Sequence, residues 1–223
     1  PELEEALPKV LIIAEAANPE WTSVPLVGWN IYRALSEVTE THLVTHVRNK
    51  AAIARTGLVE GDNYTAIDNE RCAAPMFKLS QALRGGDGKG WTTLTAFSSF
   101  TYYTFELELW RKFESRLAAG EFDIVHRVTP LSPTSQSIIT ARLAKLNIPF
   151  VVGPLNGGVP WPSGFIERQH AEREWLSHVR RLYKFMPAFQ AMRKNSSAII
   201  VGSKFTAEDM PAAVRNKCVY IPE

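Results

Sequence analysis

The strongest constraint on how this 223-residue chain folds is an alternation that recurs along its length. Short, β-rich apolar runs appear in "PKVLIIAEA", "THLVTHV", "FDIVH", "IPFVVG", "SAIIVGS" and "KCVYIPE", with a weaker one in "YTAID". Helical patterns separate them. "VPLVGWNIYRALSEV" has apolar residues three and four apart, and further helical segments lie near Ser135 to Lys145, Phe165 to Arg193 and Lys204 to Val214. Strands apolar on both faces need cover on both sides, and helices between successive strands supply the crossovers that parallel pairing requires. The expected fold is α/β: a doubly wound, mostly parallel sheet of six or seven strands with helical insertions.

Two stretches interrupt the alternation. "CAAPMFKLSQALRGGDGKGWTTLTAFSSFTYYTFELELWRKFESRLAAG" exceeds a single crossover and reads as two helices joined by the loop "GGDGKG". "FIERQHAEREWLSHVRRLYKFMPAFQAMRKN" reads as a long helix bent or broken before Pro187. No fixed-period repeat and no internal linker is visible, so residues 1–223 read as one domain.

Several chemistries are excluded at this stage. "GGDGKG" follows a helical pattern and has Trp91 where a phosphate loop needs Ser or Thr, and no GxGxxG follows the first strand. Cys72 and Cys218 have no CxxC spacing, the five histidines have no convergent ligand pattern, and no acidic pair ends a strand. A metal cofactor is therefore not expected. Lys+Arg 25 against Asp+Glu 23 leaves a net charge of +2 and no electrostatic case for nucleic acid. The cysteine usage suits a cytoplasmic protein, and no apolar stretch nears the roughly 20 residues that span a bilayer.

The segments following the strands carry the candidate chemistry. In "AEAANPEWTSVPLVGW" the first crossover leaves the carboxyl edge of the sheet, where ligands of open parallel sheets bind. Glu15 and Asn18 are polar groups at that mouth. Gly28 admits either a ligand or the packing of helix against sheet, and Trp21 and Trp29 offer either stacking faces or core. "FDIVHRVTPLSP" places His126 at a strand's carboxyl end, as a structural residue or a base for a hydroxyl, with Thr129 in the loop beyond. In "AIIVGSKFTAEDM", Ser203 caps a helix whose acidic residues are expected to favour its amino end.

In order along nearly the whole chain, "SVPLVGWNIYRALSE", "FDIVHRVTP", "IPFVVGPLNGG" and "SAIIVGSKFTAEDM" leading to "KCVYIPE" resemble the amino-terminal half of the family 4, or group 1, retaining glycosyltransferases of the GT-B fold. The resemblance implies a Rossmann-like acceptor-side domain facing a donor-binding domain beyond this chain. Of the family's Gly-Gly crossover only Gly28 carries over, and of its HxH strand end only His126, because Val27 and Val128 stand at the other positions. "GPLNGG" is similar to the family's Gly-rich cleft loop, with Gly157 and Gly158 offering bare N–H groups to a ligand or simply making a tight turn.

The function implied is transfer of a sugar from a nucleotide sugar to an acceptor hydroxyl with retention, without a metal. The acceptor, a sugar, glycan or lipid-linked glycan, is expected among loops around Gly28, Arg48, Asn49, His126 and Asn156. The rival is a non-catalytic sugar- or nucleotide-binding module. Trp175, Val179, Leu182, Phe185 and Met186 recur at helical spacing beside Arg180, Arg181, Lys184, Arg193 and Lys194. That pattern suits attachment to an anionic membrane surface or ordinary packing on the sheet.

Overall fold

A computed structural model describes residues 6–70, 90–156 and 188–222, with the backbone alone over 90–99. Seven strands form one sheet: β1 (Lys9–Ala14), β2 (Glu40–His46), β3 (Tyr64–Ile67), β4 (Ile124–Thr129), β5 (Phe150–Leu155), β6 (Ala198–Val201) and β7 (Cys218–Tyr220). Their order is β3-β2-β1-β4-β5-β6-β7, and every pairing is parallel. This is a Rossmann-like doubly wound sheet, so the alternation of apolar runs led to the right architecture.

Its two faces use alternate residues of the same strands. Val10, Ile12 and Ala14 of β1, with Leu43 and Val128, meet Trp29 and Tyr32 of α1 (Val24–Ser36) and Ile53 of α2 (Lys50–Ala54). Leu11 and Ile13, with Val125, Phe150, Val152, Ile199 and Val201, face the other way. There they meet α3 (Gly90–Ala118), α4 (Thr140–Lys145) and α5 (Phe189–Asn195). Phe105, Leu109, Phe113 and Leu117 recur every four residues of α3 and so form a single buried stripe. Burying such a side chain is worth about 1.5–3 kcal/mol, so this crossover helix is fastened mainly by that stripe.

Three boundaries differ from the sequence reading, each for an identifiable reason. The helix expected from Ser135 begins at Thr140, because Ser135 to Ile138 engage buried charged side chains. The helix expected over Lys204 to Val214 stops at Asp209 as α6 (Lys204–Asp209). Pro211 holds Met210 extended at ψ 143, and a 3-10 segment, Ala212–Lys217, follows. Ser203 does cap α6, its hydroxyl accepting from the Thr206 N–H at 3.1 Å. Glu208 and Asp209, however, lie in the last turn of α6, not at its amino end. The third is β5, which runs on through Gly153 and Pro154 to Leu155, with a register shift against β6 between Val152 and Leu155. Gly153 has φ 120, and a Cβ there would stand 2.2 Å from the Ile200 carbonyl oxygen, so only glycine carries the strand through the shift.

Candidate functional site

The strand order reverses at β1, whose neighbours are β2 and β4, and in open α/β sheets ligands bind outside the carboxyl ends of the strands at such a switch point. The structure brings Glu15, Asn18, Arg48, Asn49 and Thr129 together there. Thr129 is the last residue of β4. Its hydroxyl accepts from the Ala16 N–H at 3.0 Å and donates to the Ala16 carbonyl at 3.2 Å, tying β4 to the first crossover. Asn49 donates through Nδ2 to the Glu15 carbonyl and to Thr45 Oγ1, both at 2.9 Å, and its Oδ1 accepts from Asn18 at 3.3 Å. Asn18, Asn49 and Thr129 are buried. They hold the mouth in shape, and what they leave open to solvent is an ion pair: Arg48, half exposed, against the carboxylate of Glu15.

Gly28 lies in the first turns of α1, buried against the crossover. A Cβ there would stand 2.2 Å from the Ala16 carbonyl oxygen and 3.1 Å from Thr129 Cγ2. The backbone that approaches Gly28 is the chain's own, so helix packing accounts for this glycine. The two tryptophans separate. Trp29 packs on Tyr32 with ring centroids 5.4 Å apart, whereas Trp21 is 46% exposed in the crossover. That crossover is pinned by Asn18 N–H to the Pro25 carbonyl (2.9 Å) and by Glu20, which takes two 2.7 Å bonds from Arg55.

His126 is not at a strand end. It is the third residue of β4, because the strand continues through Arg127, Val128 and Thr129 before Pro130. Its ring is buried, and Nε2 donates to the Gly153 carbonyl at 2.8 Å, so in the neutral ring the lone pair is on Nδ1. Burial holds its pKa below the ordinary histidine value, which the Gly153 bond partly offsets. This is a neutral histidine joining β4 to β5. Beyond β5 the Asn156 N–H donates to the Leu131 carbonyl at 2.9 Å, placing the start of the Gly-rich segment against the loop after β4. Gly157 and Gly158 lie outside the described residues, as do Arg180, Arg181 and Lys184 of the basic cluster and the loop "GGDGKG" up to Lys89, whereas Arg193 of that cluster is buried on Gln136 and Pro133 and is not available to a membrane surface.

Sequence reasoning missed two further arrangements. His46, the last residue of β2, accepts through Nδ1 from the Arg48 N–H (3.2 Å) and donates through Nε2 to Asn69 Oδ1 (2.9 Å). Asn69 donates onward to Thr101 and Thr104 of α3. Burial, then Arg48, pushes the His46 pKa down, so the neutral tautomer that fits these partners is the favoured one. The second arrangement centres on Glu106 and Arg127, buried beneath the loop after β4. The available signal was an arginine in the interior of a central strand. A cavity of about 350 Å3 lined by Gln190, Arg193, Lys194, Val214 and Lys217 sits where α5 and the 3-10 segment lead into β6 and β7. It is thus at the amino ends of those strands, away from the switch point.

Among the described residues no three His, Cys, Asp or Glu side chains are placed to hold a metal ion, and no helix is long and apolar enough to cross a membrane. No protein-family model matches this chain, and no curated protein matches it.

Proposed function

We propose that this chain is the acceptor-side half of a retaining, nucleotide-sugar-dependent glycosyltransferase. One observation carries the reading beyond resemblance: the Glu15–Arg48 pair, mounted on buried Asn18, Asn49 and Thr129, lies at the switch point of the sheet. Glu15 offers carboxylate oxygens to an acceptor hydroxyl, and Arg48 offers N–H groups to an anionic neighbour. Such groups orient an acceptor, and orientation alone lowers a barrier substantially. The donor and its leaving diphosphate belong to a second domain, where fixed dipoles and cations stabilise the developing charge without a metal. Acceptors of this reading are sugars, glycans or lipid-linked glycans, reached in the cytoplasm or at an anionic membrane surface.

The buried, neutral His126 favours a second reading as well, a sugar- or nucleotide-binding module without catalysis, because it supplies no exposed base. A turnover screen of the full-length protein against nucleotide sugars separates the two. The transferase reading expects sugar transfer by the full-length protein, its loss in Glu15→Gln, and none from residues 1–223 alone. Ligand binding without turnover in the full-length protein selects the binding module.

A further inference from the structure

Six consecutive residues without regular structure, Pro133 to Ile138, follow β4, and each is tethered by a buried polar side chain. Glu106 of α3 accepts from Ser137 Oγ (2.5 Å), from the Ile138 N–H (2.6 Å) and from the Tyr102 hydroxyl (2.7 Å). Arg127 of β4 donates through Nη1 to the Ser135 carbonyl at 2.7 Å. Arg193 of α5 donates to Gln136 Oε1 (2.8 Å) and to the Pro133 carbonyl (3.2 Å). Gln136 itself donates to the carbonyls of Pro133 (3.0 Å) and Thr134 (2.9 Å). Glu106 and Arg127 are 0% exposed and Arg193 is 2% exposed.

Three buried ionisable side chains beneath one loop are an expensive way to gain stability, since well-packed apolar side chains of similar volume give as much or more. Directional bonds give what apolar packing does not, a single loop conformation. That conformation matters at the switch point. Two residues before the tethered run, the Leu131 carbonyl receives the Asn156 N–H, and two residues before that, Thr129 holds the first crossover.

We propose that Glu106, Arg127 and Arg193 are positioning residues, a charged clamp that fixes the loop after β4 and, through Leu131 and Asn156, the start of the segment after β5 beside the switch point. Tyr102 lies between the two charged ends of the clamp. The Arg127 guanidinium lies 5.6 Å from the Tyr102 ring centroid, Nε and Nη2 have no hydrogen-bond partner, and the Tyr102 hydroxyl binds Glu106. Among the described residues Tyr102 and Arg127 are the ionisable groups that face Glu106, with Tyr103 of the same helix also sensing its charge. Burial pushes the Glu106 pKa up, and its hydrogen bonds and Arg127 oppose that.

The clamp itself is independent of the transferase reading, and its effect on an acceptor rests on it. Residue-resolved amide exchange tests the clamp in the chain as it stands, comparing Glu106→Gln and the milder Ser137→Ala with Ser203→Ala, which removes the cap of α6 and touches none of the clamp's bonds. Beyond any change in the core amides of β1 and β4, amides 135–139 should exchange about tenfold faster in Glu106→Gln and about threefold faster in Ser137→Ala. Loop exchange, corrected for intrinsic rate, should vary with pH in the unmodified chain as Glu106 titrates and lose that component in Glu106→Gln. Loop and core amides moving in parallel in both variants would overturn the clamp. In the full-length enzyme, Ser137→Ala should raise the acceptor KM more than it lowers kcat. A loosened loop with an unchanged acceptor KM would overturn its role in the cleft. Absence of turnover in the unmodified enzyme would count against the transferase reading alone.

Discussion

Replacing Gly28 by alanine should destabilise the chain, although the same change inside an exposed helix ordinarily stabilises by about 1 kcal/mol. The new Cβ would be 2.2 Å from the Ala16 carbonyl oxygen, so helix and crossover must separate by about 1 Å to restore ordinary contact. Neither side yields easily. Ala16 is held by both bonds to Thr129, and the crossover is closed by Asn18 N–H to Pro25. Overpacking of this kind costs about 1–3 kcal/mol, and a strained or broken hydrogen bond adds about 0.5–1.5 kcal/mol, so a loss of about 2–4 kcal/mol is expected. Urea unfolding reads it directly: at an unchanged slope of about 2 kcal/mol per molar, the midpoint falls by about 1–2 M. Adding Thr129→Ser removes the methyl at 3.1 Å but not the carbonyl, and should restore less than about 0.5 kcal/mol. A Gly28→Ala protein within about 0.5 kcal/mol of the original would refute the packing argument and return Gly28 to the ligand.

Thr129→Val keeps the shape but loses both bonds to Ala16, and should cost about 1–3 kcal/mol in the same assay; Thr129→Ser should cost much less. Gly153→Ala meets the Ile200 carbonyl at 2.2 Å with φ at 120, so a loss of at least about 2 kcal/mol is expected, read from the unfolding midpoint. Burial depresses the folded pKa of His42, His46 and His126. Their contribution is complete above the unfolded value of about 6.5 and is lost as pH falls through the depressed values, with a slope of at most about 4 kcal/mol per pH unit if all three titrate together. Glu106, its folded pKa raised, acts in the opposite direction: its ionisation opposes folding as pH rises from its unfolded value through the raised one. Unfolding midpoints should therefore drop between pH 7 and pH 5 and drop less in His126→Gln; no drop would contradict the neutral assignments.

The sheet was legible because a parallel strand buried on both faces declares itself as an apolar run, and all seven runs became strands. Boundaries were less legible wherever a side chain from a distant element decided them. Nothing local to "PTSQSI" says that Ser137 and Ile138 face Glu106 from 31 and 32 positions away, or Gln136 and Pro133 face Arg193 from 57 and 60, so the segment from Ser135 read as helix. The site shows the same division. Glu15 and Thr129 were found because strand ends and crossovers of a doubly wound sheet must converge at its carboxyl edge, a property of topology, whereas Arg48 and Asn49 came only with the family resemblance. Whether each side chain then faces a ligand or its own neighbours is a matter of ångströms. Asn49 and Thr129 turn inward, Gly28 answers a carbonyl of its own crossover, and His126 binds Gly153. A sequence places such residues at the right edge of the sheet, and only the bonds they already make determine which remain for a ligand. At this edge the Glu15–Arg48 pair, partly open to solvent, is the group to mutate first.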